Sequence, residues 1–300
     1  VETILPRCYE TGVLVDSFLV LKENCTDTLF YLFSAISGQE VFRFGDKGRG
    51  VCEFYYPLFL SNSFAYDSLI IYDIPVGRLT KIDLHALVEN QDITKCVNSE
   101  HLYRNLNFMY NFNKIDSAFI GTFIEKDEGL FSFCNRNNGE IKNTDYVPYY
   151  FYEKGRKDAY CHHVLVSEKD NSIIVPFKYM NLINCYDLDG NLKVTYALDW
   201  IKEEINTQIR VDEHTTVTFY RTYATRNRCY LVWDGHKIEE ELRKYPAKIV
   251  VMNWQGELEK VYQLDNFADF IIPDEKQRMI YVGVYNAGLE FVEIYKYPML

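Results

Sequence analysis

Three stretches of the 300-residue chain hold residue types able to do chemistry. The first is the glycine-rich run Gly45-Asp46-Lys47-Gly48-Arg49-Gly50, which has the look of a phosphate cradle. A nucleotide loop needs a strand before it and a helix after it, so that the helix N-terminus faces the phosphate. Here Glu53-Phe54-Tyr55-Tyr56-Pro57 follows, which reads as strand. The run is therefore expected to be a connection whose glycines take positive φ, with Lys47 and Arg49 at its tip in reach of an anion. The second stretch is His162-His163, the sole histidine pair. Adjacent strand residues point to opposite faces, so the two rings are poorly placed to grip one metal. The remaining histidines, His85, His101, His214 and His236, show neither H-x-H nor H-E-x-x-H spacing. The third is Asp187-Leu188-Asp189-Gly190-Asn191, which has the flavour of a calcium loop. The closing bidentate Glu of such a loop is missing, because Leu198 stands there. Turn capping by Asp187 is the expected role, shared with Asp73, Asn135 and Asn253 at equivalent turns.

Other chemistries leave no trace. There is no G-x-S-x-G elbow, no S-x-D-x-G-x-x-W box and no C-x-x-C pair. No metal and no cofactor is expected. The eight cysteines (8, 25, 52, 96, 134, 161, 185 and 229) are expected to be mostly free and buried, since they fall on separate strand groups.

The elements that must position any site are strands. Five turns share one pattern: Ser37-Gly38-Gln39-Glu40, Val76-Gly77-Arg78-Leu79, Asn138-Gly139-Glu140-Ile141, Asp189-Gly190-Asn191-Leu192 and Gln255-Gly256-Glu257-Leu258. Each follows an apolar, aromatic run and precedes a shorter alternating one, which reads as strand, glycine hairpin, strand. Repetition on this scale points to an all-β, six-bladed β-propeller built as a single domain over residues 1–300. The 25 Tyr and 20 Phe suit half-buried sheet faces. Blade one is read from Val13–Leu21, Thr28–Ala35 and Glu40–Phe44, and an irregular insertion is read over Val88–Arg104. The last blade is one strand short. Thr3–Cys8 is expected to complete it, pairing near Glu290–Tyr297, because an open blade leaves a raw edge. Trp200–Ile209 and His236–Lys244 read as short helices between strands.

A resemblance rests on Phe44-Gly45, Gly48, Gly50 and Glu53-Phe54, which match the F-G-x-x-G-x-G-P-x-E-F signature of exported bacterial six-bladed propellers, the TolB-like and NHL-like proteins. Val51 stands where that signature has Pro. Arg228–His236 and Val250–Gly256 are similar to later strands of the same family, and Leu264-Asp265 opens the last blade as it does there. The resemblance implies export to the periplasm, or lipid anchoring as a lipoprotein at the cell envelope, and it names no catalytic residues. A start at Val1 rather than Met leads to the expectation of a removed leader.

Net charge is −11, from 32 basic against 43 acidic residues, and no basic stripe occurs, so a nucleic-acid partner is not expected. No apolar run is long enough for a transmembrane segment. The expected function is a non-catalytic binding or scaffold propeller, a monomer, whose partner is an envelope protein, peptide or glycan. The alternative is a propeller hydrolase, lyase or metal-dependent lactonase with its site at the channel mouth. First strands of all blades converge there. Tyr160, His162, Tyr220 and Arg221, with His163 and Tyr223 beside them, lie on the first strands of blades four and five and are the candidate ligand residues. Arg221 is the leading one, because its donors can pair with an acidic group.

Overall fold

A computed structural model describes residues 4, 7–123, 129–147, 160–198, 211–240 and 245–299. The first sheet runs β1 (Tyr9–Val15), β2 (Phe18–Glu23), β3 (Thr28–Ser34) and β4 (Glu40–Lys47), with a two-residue parallel addition β5 (Glu53–Phe54). The second holds β6 (Pro57–Phe59), β7 (Leu69–Asp73), β8 (Arg78–Ile82) and β9 (Val97–His101), with α1 (Leu84–Asn90) between its last two strands. The third holds β10 (Met109–Lys114), β11 (Ala118–Phe123), β12 (Ser132–Asn135) and β13 (Ile141–Asn143). The fourth holds β14 (Leu165–Ser167), β15 (Ser172–Pro176), β16 (Ile183–Tyr186) and β17 (Leu192–Tyr196). The fifth holds β18 (Thr216–Ala224), β19 (Arg228–Lys237), β20 (Lys248–Asn253) and β21 (Leu258–Gln263). The sixth holds β22 (Phe270–Asp274), β23 (Met279–Asn286) and β24 (Phe291–Pro298).

These sheets are the blades of a six-bladed β-propeller. Apart from the parallel addition β5, each strand within a blade pairs antiparallel with the next in sequence. Inner and middle strands such as β7, β15, β16 and β22 are buried on both faces, so they read as unbroken apolar runs. Outer strands β9 and β21 are almost wholly exposed, so they read as polar. All five recurring glycines sit at φ between 61° and 87°. At Gly256 a side chain is excluded twice over, by φ +87° and by Tyr196 Cε2, 2.7 Å from where a Cβ would stand.

The chain forms two compact units. Unit 1, residues 1–108 and 268–300, carries the first, second and sixth blades. Its N-terminal segment closes the last blade. Arg7 N–H donates to Val292 O at 3.3 Å, and Val292 N–H returns to Arg7 O at 2.8 Å. Thr3 and two further residues of the expected strand, positions 5 and 6, lie outside the described residues. Beside the bridge, Cys8 and Cys25 form a disulfide with Cα atoms 5.8 Å apart. This corrects the expectation that the cysteines sit on separate blades. Cys8 leads into β1 and Cys25 lies in the β2–β3 turn, so both belong to the first blade. Cys96, Cys134, Cys185 and Cys229 are buried thiols, and burial pushes the Cys185 thiol up to about 11.

Unit 2, residues 109–267, carries the third, fourth and fifth blades. Phe131, Tyr160, Phe177, Met180 and Tyr186 share its apolar core. Three readings of the sequence change. The span Val13–Leu21 is not one strand, because Asp16, at φ 50°, turns the chain between β1 and β2. The insertion at 88–104 holds the end of α1 and the polar edge strand β9. His236 and Lys237 end β19, paired with Val217 and Thr216, so the helix read there is strand and turn as far as Glu240, and 241–244 lie outside the described residues. The helix read over Trp200–Ile209 also lies outside them.

Candidate functional site

The inner strands of unit 2 are joined by buried side chains that donate to backbone carbonyls. Asn113, fully buried on β10, gives its amide to Val164 O at 3.0 Å and to Asn111 O at 2.6 Å. Asn111 gives its amide to His162 O at 3.2 Å. Thr218 on β18 directs its hydroxyl at Phe177 O, 2.7 Å, and Met180 O, 2.9 Å, and its own N–H donates to Lys178 O at 2.7 Å. These bonds tie the first strand of the third blade to the segment entering β14, and the turn after β15 to the first strand of the fifth blade.

Two irregularities in β18 and β19 then aim the site. Phe219 pairs with Trp233 and Arg221 with Val232, so Tyr220 is an extra residue on β18. A bulge breaks the alternation of side chains along a strand. Adjacent Tyr220 and Arg221 therefore reach the same side. The Arg221 guanidinium stacks 4.0 Å over the Tyr220 ring, and its Nη2 donates to the Tyr220 hydroxyl at 3.2 Å. On β19 the compensating irregularity holds Gly235, at φ +72°, where the indole of Trp233 fills the space of any Cβ.

Lys178 completes the group. Its N–H bonds to Cys161 O at 2.8 Å, which fixes it at the end of the β14–β15 hairpin. Its Nζ lies 5.1 Å from the Tyr220 ring and 5.0 Å from the Tyr179 ring. His163 donates Nε2–H to the Tyr220 carbonyl at 3.1 Å, which anchors the bulge from below. Burial, then the charge of Arg221, brings His163 down to about 4, so it is neutral at pH 7. Phe267 touches both Tyr220, at 6.2 Å between centroids, and the buried His236, at 6.5 Å. Burial also lowers His236, partly offset by Glu240.

The four candidates from the sequence divide into two pairs. Tyr220 and Arg221 are in contact and half-buried. Tyr160 is 4% exposed and packs in the core against Tyr146, 4.9 Å, and Phe177, 6.0 Å. His162 turns its Nδ1 to the Tyr160 carbonyl and packs on Phe177, and burial brings it to about 4. Tyr223 is half-buried and pairs with Tyr230 across β18 and β19. Lys178 was missed as a ligand residue, although its signal is in the sequence. Continuing the β14–β15 hairpin register places it opposite Cys161, next to the histidine pair.

The other chemical candidates have structural occupations. Gly50 N–H bonds to Glu53 Oε2 at 2.8 Å, and Gly50 O accepts from Arg78 Nη1 at 2.6 Å. Arg78 also reaches Glu53 O and pairs with buried Asp73 at 3.5 Å. Asp73 in turn accepts from the N–H groups of Tyr55 and Tyr56, at 3.0 and 2.8 Å, rather than capping its own turn. The glycine run is thus a tied connector between the first two blades. Of its tip residues, Lys47 bonds to Asn24 O at 3.2 Å and Arg49 stacks on Tyr55. Asp187 caps its turn through the N–H groups of Asp189 and Asn191 and pairs with Lys193 at 2.7 Å, which holds its carboxyl well below the usual range despite burial. Its oxygens are thereby occupied by turn donors. Among the described residues, no three His, Cys, Asp or Glu side chains gather where a metal ion would sit. Among the described residues, no helix is long and apolar enough to cross a membrane.

No family model and no curated protein matches the chain. Solved structures do. A member of the DUF4221 family from Bacteroides vulgatus is similar over 98% of this chain and 96% of its own, with a TM-score of 0.61 at 13% identity. A protein from Bacteroides fragilis, described as exported, is similar over 99% and 92% of the two chains, with a TM-score of 0.55 at 10% identity. Both likenesses are of fold, carried from end to end of the chain.

Proposed function

We propose that the chain is a non-catalytic binding or scaffold propeller of the bacterial cell envelope, a single domain that takes its ligand where Lys178, Tyr220 and Arg221 meet. The observation that carries this reading is the bulge at Tyr220. It sets Arg221 over a half-buried ring that Lys178 of the neighbouring blade also approaches. Bulges re-aim side chains next to functional sites. Such a group recognises an acidic or polar partner and supplies no nucleophile beside a base. For the metal-dependent lactonase alternative, no group of three His, Cys, Asp or Glu side chains among the described residues offers a metal site in support.

Export is supported by two independent features. One is the likeness to the Bacteroides fragilis protein described as exported. The other is the Cys8–Cys25 disulfide, a bond that persists in oxidising compartments. The resemblance to TolB-like and NHL-like proteins agrees with both. The function is tested with glycan and peptide arrays and a pull-down from envelope extract, using the protein and Arg221→Ala. A reproducible partner that the variant loses is expected. A blank array together with an empty pull-down overturns the reading.

A further inference from the structure

We propose that the Lys178–Tyr220–Arg221 group holds the carboxylate of a sugar acid, a proposal that rests on the binding reading above. A guanidinium meets a carboxylate through two parallel N–H donors, and an ammonium adds a mobile point charge. Both are present, 4.0 and 5.1 Å from one tyrosine ring, on half-buried side chains where salt screens them less than at the surface. The backbone beneath them is fixed by the bond from His163 to the Tyr220 carbonyl.

Arg221 and Lys178 both bring positive charge toward His163. Among the described residues the charged and titratable groups facing His163 are Arg221, His162 and Lys178, and all three oppose its protonation. Those cations stand in a chain of net charge −11. The overall negative charge repels polyanions at long range, so it favours a ligand with a single carboxylate over an acidic polymer or an acidic peptide. Tyr179 and Tyr220 place apolar rings and hydroxyls beside the cations. A pyranose whose carboxylate adjoins C–H and hydroxyl groups matches that mixture.

The test is titration at pH 7 with D-glucuronate, D-glucose, acetate and inorganic phosphate, followed by calorimetry and by the imidazole NMR signals. Glucuronate is expected to bind at least tenfold more tightly than the other three. Arg221→Gln and Lys178→Gln should each weaken it by about tenfold or more. Arg221→Lys should fall between, keeping the charge and losing the fork. The His163 signal should move, its pKa rising from about 4, because a bound anion favours the imidazolium. If Arg221→Gln loses the wild-type melting transition, Lys178→Gln and Arg221→Lys decide. Equal binding of glucuronate and glucose, or none of either, overturns the proposal. Tighter binding of phosphate overturns the carboxylate. Acetate as good as glucuronate overturns the sugar. A neutral glycan or a peptide captured on the arrays and lost in Arg221→Ala removes the sugar acid while leaving the binding function in place.

Discussion

The first strands of the two units meet their neighbouring blades by different means. In unit 1, β1 approaches β22 through apolar contact, close enough that a Cβ on Gly12 would stand 2.5 Å from Ile272 Cδ1. The N-terminal bridge from Arg7 to Val292 adds to it, and a covalent staple ties the first blade to itself. In unit 2 polar bonds are added to the shared apolar core, with Asn111, Asn113 and Thr218 donating to carbonyls of a neighbouring blade. Apolar contact is non-directional, whereas a buried donor also fixes the orientation of the atoms it touches. The stitched unit is also the one with the bulge, the cation pair and the neutral histidines. Rigid backbone beneath a site is what holds its side chains in a binding geometry.

Breaking one stitch should do the most damage. Asn113→Leu leaves the carbonyls of Asn111, Ile120 and Val164 buried without their donor, at a cost of about 4 kcal/mol. Urea unfolding measures the loss, and hydrogen exchange should show it in β10 and β14 before β1 and β22. Equal loosening of both units would erase the contrast. Removing the staple from unit 1 comes next. Cys8→Ser with Cys25→Ser opens a loop of sequence separation 17, worth about 3 kcal/mol by chain entropy. The same loss should follow from reductant added to the unaltered protein, and a melt insensitive to reductant would show the staple to be idle.

Acid sharpens the comparison from the other side. His162 and His163 both fall from the ordinary 6.5 to about 4 on folding, so the folded state favours their neutral forms. Their contribution is complete above pH 6.5 and is lost as pH falls from 6.5 to 4. Discounted for the partial exposure of the rings, the loss is about 2 kcal/mol. His162→Gln with His163→Gln should flatten that part of the stability–pH curve. The smallest effect on folding is expected at the site itself. Arg221→Ala should change stability by less than about 1 kcal/mol while abolishing partner capture. A large fall in the melting temperature would make Arg221 a structural residue.

The five glycine hairpins were legible because φ near +70° demands glycine and leaves it in the sequence at each turn. β9 was hidden for the opposite reason. Its sequence Val97-Asn98-Ser99-Glu100-His101 faces solvent on both sides and shows no alternation. At the site, Tyr220 and Arg221 were found by their type, but the bulge that makes them neighbours depends on a register set by β19. Tyr160 has the same residue type as Tyr220, and only packing distinguishes the core ring from the half-buried one. Arg78 was invisible as an anchor because its acceptors, Gly50 and Glu53, lie 28 and 25 positions away.

The Cys8–Cys25 bond also decides how the protein carries tension. A pull applied at Arg7 passes next to Cys8. From Cys8 the covalent path runs straight to Cys25, so the intervening segment, with β1 and β2 in it, bears no load. What yields first is the pair of backbone bonds between Arg7 and Val292, a short and reversible extension. Beyond it the force passes to the β2–β3 turn and into β3, a strand buried along almost its whole length. Oxidised protein should therefore extend by a small first step and then resist. Reduced protein should give up β1 and β2 as well, in a longer first step that ends at the same third strand.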